Sequence, residues 1–450
     1  MSFRFKSATP FFCLLLGAVG FYSFDLSAQR PLPAFDTHFS QSKLGPVQRQ
    51  ESEHFQVSWV HPRDEILVTP LLEHMEAART LLVGVFGEAA IHPKRKAPIE
   101  IFPDIQNFSE VSGLSLARFR ATGTIALTLD QRLMILSPRN LASGYSWAET
   151  AVHEYIHYLI REISPDHIPI WLHEGVAQLF QGYPFMTEAQ LRPSQWGLFK
   201  KRRDQMKLLD LKTLREPFPY RETPEEAELA YIQALLFSQW LDQKCGVLSL
   251  IRSANQKNSI DQALELCVGL PIPQLEQQFI SKVMMGVELP QNVPAVEFYA
   301  RDFSSTDPME VEGKRADRVA QNLAQLSSEM FRQGRFRASA LQMGKALEET
   351  PVAPPSWRRQ MAEAYWKAQQ AEDSQRVLRE LLVDYPDDAG AWFLLGSLNR
   401  QKGQLDTAWQ AFVNAFFRNP FMEGLEEQIQ SLRESEPEKK LPFEHRLPRP

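Results

Sequence analysis

Residues 146–163 read SWAETAVHEYIHYLIREI, and the fold of the N-terminal part of the chain turns on them. The run holds no Gly or Pro, and Ser146 with Glu149 gives the S-x-x-E capping box that predicts a helix beginning at Trp147. It stops at Ser164-Pro165, because the residue before a proline is pushed out of the helical region. Within it His153 and His157 are four positions apart, so a helix carries both rings on one face, one turn apart. Glu154 stands beside the first. This H-E-x-x-H spacing lets two imidazoles share one metal ion and points a carboxylate at the ion's water.

Two histidines leave a third protein ligand to be found. One long form of the motif would continue on the same helix with Gly and then His, but positions 160 and 163 are both isoleucine, which excludes it. A second helix is predicted after Pro169, through WLHEGVAQLFQG to Gly182, and it carries Glu174. A short Pro-bearing turn between antiparallel helices can bring Glu174 opposite the two histidines. Gly175 and Ala177 are small enough for helices to approach closely.

HEYIH at 153–157 followed by IPIWLHEGVAQLF at 168–180 resembles the peptidase MA-like domain of the gluzincin superfamily. The two segments are specific, and the likeness extends more loosely over about Glu53 to Met285. The resemblance implies a Zn2+ site of His153, His157 and Glu174, with Glu154 as general base, hydrolysing a peptide or protein substrate by metal-activated water. It also implies an oxyanion donor from a later helix, for which Tyr231 in EAELAYIQALLFSQWLDQK is the candidate and Tyr220 a weaker one. Tyr231 reads equally as a buried aromatic of an amphipathic helix. His173 departs from the pattern, since an amide or small residue is more usual there, and its role as second partner or bystander stays open. His167 falls in the turn between the helices; His38, His54, His61, His74, His92 and His445 are scattered and are assigned nothing.

Ahead of the motif, HFQVSWV and APIEIF read as strands flanking a helix that ends in GVFG, and GTIALTL with RLMILSP reads as a hairpin. RLMIL is either an edge strand that could pair with an extended peptide or an internal strand of the sheet. The expected class is therefore α+β, a zincin-like catalytic domain of mixed sheet plus active-site helices. An all-α repeat domain is expected to follow it.

That repeat domain is read from a period. Trp392, Leu395, Gly396, Ala408, Phe412, Ala415 and Pro420 fall on the positions that identify a tetratricopeptide repeat. Stepping back gives Ala362, Tyr365, Leu378, Leu381 and Pro386, and then Gly334, Met343, Ala346 and Pro351. Small residues let paired helices cross closely while large ones fill the seams. A stack of this kind binds a protein partner, or it packs on the preceding domain and steadies it.

At 450 residues and 44% hydrophobic, the chain is long enough for two or three cored domains. A net charge of −6 and the lack of any phosphate-type glycine loop argue against nucleic acid and nucleotides. Arg4 and Lys6, the apolar run FFCLLLGAVGFY and Leu26-Ser27-Ala28 read as a signal peptide, which implies export to a periplasm or the exterior; an uncleaved anchor is the alternative. No other segment reads as a membrane span. Cys245 and Cys267 either pair in an oxidising compartment or stay as two separate thiols. The boundaries expected are a signal peptide at 1–28, a linker at 29–50, the peptidase-like domain at 51–288 and a linker at 289–315, then repeats with a capping helix at 316–433 and a tail at 434–450. The rival to an exported zinc metallopeptidase is a non-catalytic cell-envelope scaffold that works through its repeats. A hydrolase of non-peptide amides comes third.

Overall fold

The computed structural model describes residues 34–40, 42–87, 95–141, 143–164, 167–184, 189–218, 221, 223–291, 293, 317–350 and 355–435. The signal peptide at 1–28, Tyr220, His92, His445, Pro351, nearly all of the 289–315 linker and all but the first two residues of the tail lie outside them.

Five strands form one mixed sheet: β1 (Gln48–Glu51), β2 (Phe55–Trp59), β3 (Ala97–Phe102), β4 (Ala126–Leu129) and β5 (Arg132–Leu136), in the order β1-β2-β3-β5-β4. Pairing is parallel for β2 with β3 and β3 with β5, and antiparallel at both ends. The parallel pairs need crossovers. Helix α2 (Glu65–Phe86) makes the first, after a short helix α1 (Phe35–Phe39) that precedes the sheet. Helices α3 (Ile105–Ser112) and α4 (Leu116–Thr122) lie in the second.

Alternation along the strands divides the core. Ile99, Ile101, Leu133 and Ile135 are fully buried in the cluster that holds α2 and helix α5 (Trp147–Ile163). Phe102, Met134 and Leu136 take the other face, with Phe35, Phe39, Phe108 and Phe119. Part of the stretch expected as a linker, 29–50, is therefore built into the fold: α1 buries two phenylalanines under the sheet and β1 extends it.

Helix α5 runs over the residues expected. Its start does not work as expected, because the Ser146 hydroxyl makes no cap bond and instead donates to Asp387 Oδ1 at 2.6 Å, in the repeat module. Beyond it come α6 (Ile170–Phe180), α7 (Pro193–Asp204), α8 (Leu211–Leu214), α9 (Pro224–Cys245), α10 (Val247–Lys257), α11 (Ile260–Val268) and α12 (Ile272–Gln278). Cys245 and Cys267 form a disulfide joining the ends of α9 and α11. The close approach expected of Gly175 is made against α9: a Cβ there would lie 2.4 Å from the Ala234 carbonyl oxygen.

The repeat region is three helical hairpins: α13 (Arg318–Arg332) with α14 (Phe336–Glu348), α15 (Pro355–Lys367) with α16 (Ala371–Asp384), and α17 (Ala389–Gln401) with α18 (Leu405–Phe416). Helix α19 (Leu425–Ser435) caps them. Gly396 explains one small position of the period, since a Cβ there would sit 2.7 Å from the Phe412 ring across the hairpin. The third hairpin and the cap do not stand apart from the first domain. Phe412, Phe416, Ile429 and Leu432 share one buried cluster with α2 and α5. Tyr145 N–H donates to Arg418 O at 3.1 Å and Ala389 N–H to Ser143 O at 2.9 Å. Trp147, fully buried, donates to Phe416 O at 3.3 Å and stacks on Phe417.

Candidate metal centre

Helices α5 and α6 run together at the centre of the first domain. On α5, His153 and His157 face the same way, with ring centroids 4.8 Å apart. Glu174 on α6 meets both: its Oε2 lies 3.2 Å from His153 Nε2 and 3.6 Å from His157 Nε2. The structure thus brings His153, His157 and Glu174 together. Glu154 joins the group, and His153, Glu154 and His157 offer ligand atoms within 4.8 Å of one another.

The donor set fits zinc. Two ligands held 2.0–2.2 Å from a tetrahedral ion stand about 3.4 Å apart, and the two imidazole-to-carboxylate separations are 3.2 and 3.6 Å. The second nitrogen of one of these imidazoles is also fixed. His153 Nδ1 lies 2.9 Å from Gln181 Oε1, which as a carbonyl accepts the N–H and leaves Nε2 to face Glu174.

Burial shapes the charge state. By itself it would raise the Glu174 pKa, but His157 and His153 outweigh it and hold the carboxyl well below the usual carboxylate range. Burial would lower His153, and the Glu174 carboxylate overrides that and lifts it to about 9. His153 and Glu174 thus face each other as a charged pair, with the His157 ring beside them. His173, with its ring 5.6 Å from that of His157, is held well below the ordinary histidine range, first by burial and then by His157 and Arg161.

Two residues absent from the sequence reading hold the group. Gln181 is one, seven positions after Glu174, the spacing that returns to the same helix face. Thr128 is the other. Its hydroxyl lies 2.7 Å from Glu154 Oε2 and 2.8 Å from the Glu154 carbonyl oxygen. Nothing in the sequence marked it beyond one polar residue in an apolar strand.

Tyr231 lies on α9, where its carbonyl accepts from Gln178 Nε2 at 3.1 Å and its ring packs edge-on against Phe218. RLMIL is β5 and internal, which closes the choice left open for it. The edge strand beside the site is β4.

Comparison with known families matches residues 354–398 to a tetratricopeptide repeat, which spans α15, α16 and most of α17. The chain carries that repeat, and the match lies wholly outside the site. No curated protein matches the chain. Similar solved structures include the Sgt2 TPR domain from Aspergillus fumigatus, at 16% identity over 26% of this chain and 80% of that one, with a TM-score of 0.25. The second TPR domain of human RPAP3, in complex with an HSP70 peptide, is 15% identical over 28% of this chain and 98% of its own, with a TM-score of 0.23. The P58(IPK) TPR domain is 15% identical over 83% of this chain and 100% of its own, with a TM-score of 0.25. Among the described residues no helix is long and apolar enough to cross a membrane.

Proposed function

We propose that this protein is a zinc-dependent peptidase carrying a repeat module for a protein partner. The observation behind the reading is that two imidazoles and a carboxylate from two helices converge at zinc-ligand separations, with a second carboxylate beside them. His153, His157 and Glu174 would hold the ion. Zinc, when bound, supplies a Lewis acid that activates water and polarises a carbonyl. Glu154 would take the proton at Oε1, since Oε2 is engaged by Thr128. In β4, Leu136 N–H bonds to Ile125 O, and the antiparallel alternation then turns the backbone groups of Ala126 and Thr128 away from β5. An extended peptide could pair there. Tyr231 is the proposed oxyanion donor.

A second reading is a non-catalytic scaffold, and the specific observation in its favour is that the family match falls on the repeats. In either reading the partner has the first hairpin open to it. The third is buried on the first domain, whereas Val319, Leu326 and Leu341 of the first hairpin are exposed.

Metal content by elemental mass spectrometry separates the readings. The peptidase reading expects about one zinc per chain, lost in Glu174→Ala. It also expects Glu154→Gln to keep zinc and lose turnover of labelled casein. A folded protein that takes up no zinc leaves the scaffold.

A further inference from the structure

We propose that Thr128 is a positioning residue for Glu154, holding its carboxylate through a single hydroxyl from the edge of the sheet. The inference rests on the reading of Glu154 as the general base. Glu154 is on α5 and nearly buried, at 6% exposure, and Thr128 on β4 is equally enclosed at 5%. Thr128 pairs with Leu133, which belongs to the core shared with α5, so its side chain is on the sheet face that meets the helix.

A threonine hydroxyl has one proton to give. The Glu154 carbonyl, 2.8 Å away, belongs to a helix turn that already supplies it with an N–H partner. The carboxylate oxygen at 2.7 Å is the acceptor that gains most, because a bond to a charged group is stronger than one to a neutral carbonyl. Donation to Oε2 pins one oxygen of the base and leaves Oε1 as the oxygen not held by the hydroxyl. Among the described residues, no other side chain of the sheet is seen to hold the Glu154 carboxylate. The same residue carries one set of the outward-turned backbone groups of β4, Ala126 the other. A peptide paired on that edge is thereby tied through one side chain to the carboxylate that must reach it.

The test uses Thr128→Val, which keeps the branched shape and removes the hydroxyl, and Thr128→Ser, which keeps the hydroxyl. Crystal structures of the zinc-soaked wild type and both variants give a readout independent of turnover. The wild type and Thr128→Ser should show Glu154 in one conformer with Oε2 on the hydroxyl, and Thr128→Val should show it displaced or split. An unmoved carboxylate in Thr128→Val overturns the proposal. Should that variant not fold, Thr128→Ala serves the same comparison. In turnover of labelled casein, Thr128→Val should lower kcat by about tenfold to a hundredfold, the scale of one hydrogen bond to a charged group. KM and zinc content should stay near wild type, and Thr128→Ser should recover most of the rate. Equal kcat in the Val and Ser variants also counts against the idea. If the wild type cleaves nothing while Glu154 moves in Thr128→Val, the peptidase reading fails and the positioning contact stands.

Discussion

Replacing Gly175 by alanine tests whether the proposed metal centre depends on how closely α6 lies against α9. A Cβ at 175 would stand 2.0 Å from Ser238 Oγ and 2.4 Å from the Ala234 carbonyl oxygen. Ser238 can turn to another rotamer, but the carbonyl is part of a helix backbone and cannot. An ordinary carbon–oxygen contact is about 3.3 Å, so α6 must retreat by about 0.9 Å. Its neighbour in sequence is Glu174, the shared partner of both histidines. Metal–ligand distances tolerate only about 0.2 Å, so a shift of this size should be felt in zinc affinity before it unfolds the domain. Overpacking of this kind costs about 1–3 kcal/mol of stability. The expected loss in zinc affinity is about tenfold to a hundredfold, the range found when a group supporting a ligand is disturbed. Thermal unfolding of the zinc-free variant reads the first number, and competition against a chromophoric zinc chelator reads the second. Adding Ser238→Ala should relieve only the side-chain part of the clash. Wild-type melting and wild-type zinc affinity in Gly175→Ala would show that the two helices are free to slide, and the reasoning would fail.

Two further outcomes follow from burial and connectivity. His74 is buried at the junction with Phe417, and burial holds its pKa down at about 3. The unfolded chain therefore takes up a proton near pH 6.5 that the folded chain refuses. Stability is full above that pH and is lost as pH falls toward 3, by about 2 kcal/mol between neutrality and pH 5. Denaturant unfolding across that window should show the slope, and His74→Leu should flatten it; an unchanged slope in the variant would assign it to other groups. The Cys245–Cys267 disulfide closes a separation of 22 residues, for which loop entropy gives about 3 kcal/mol. Reduction, or the double serine variant, should lower the denaturation midpoint accordingly, and an unaffected midpoint would mean that packing alone holds α9 to α11.

Several features of this protein follow from the sequence by itself, because they depend on neighbours a few positions away. The four-residue spacing of His153 and His157 fixes a shared helix face, and the helix stops where Ser164 precedes a proline. The repeat period marked Gly396 as a small position and Phe412 as a large one, and the folded hairpin sets the two against each other. Gln181 was within reach of the same reasoning, by its spacing from Glu174.

What depends on order in space was decided only by the tertiary structure. Strand patterns give the faces of β4 and β5 but not which is outermost, so the edge and the role of Thr128 appear only when the sheet is assembled. A capping motif states what Ser146 can bond, and the nearby Asp387 of a distant repeat determined what it does bond. Cysteine spacing left pairing open, and the packing of α9 on α11 closed it. The third hairpin reads as separable because its period is complete. It is buried on the first domain because Trp147, Phe416 and Phe417 are large apolar surfaces, and no sequence window contains all three.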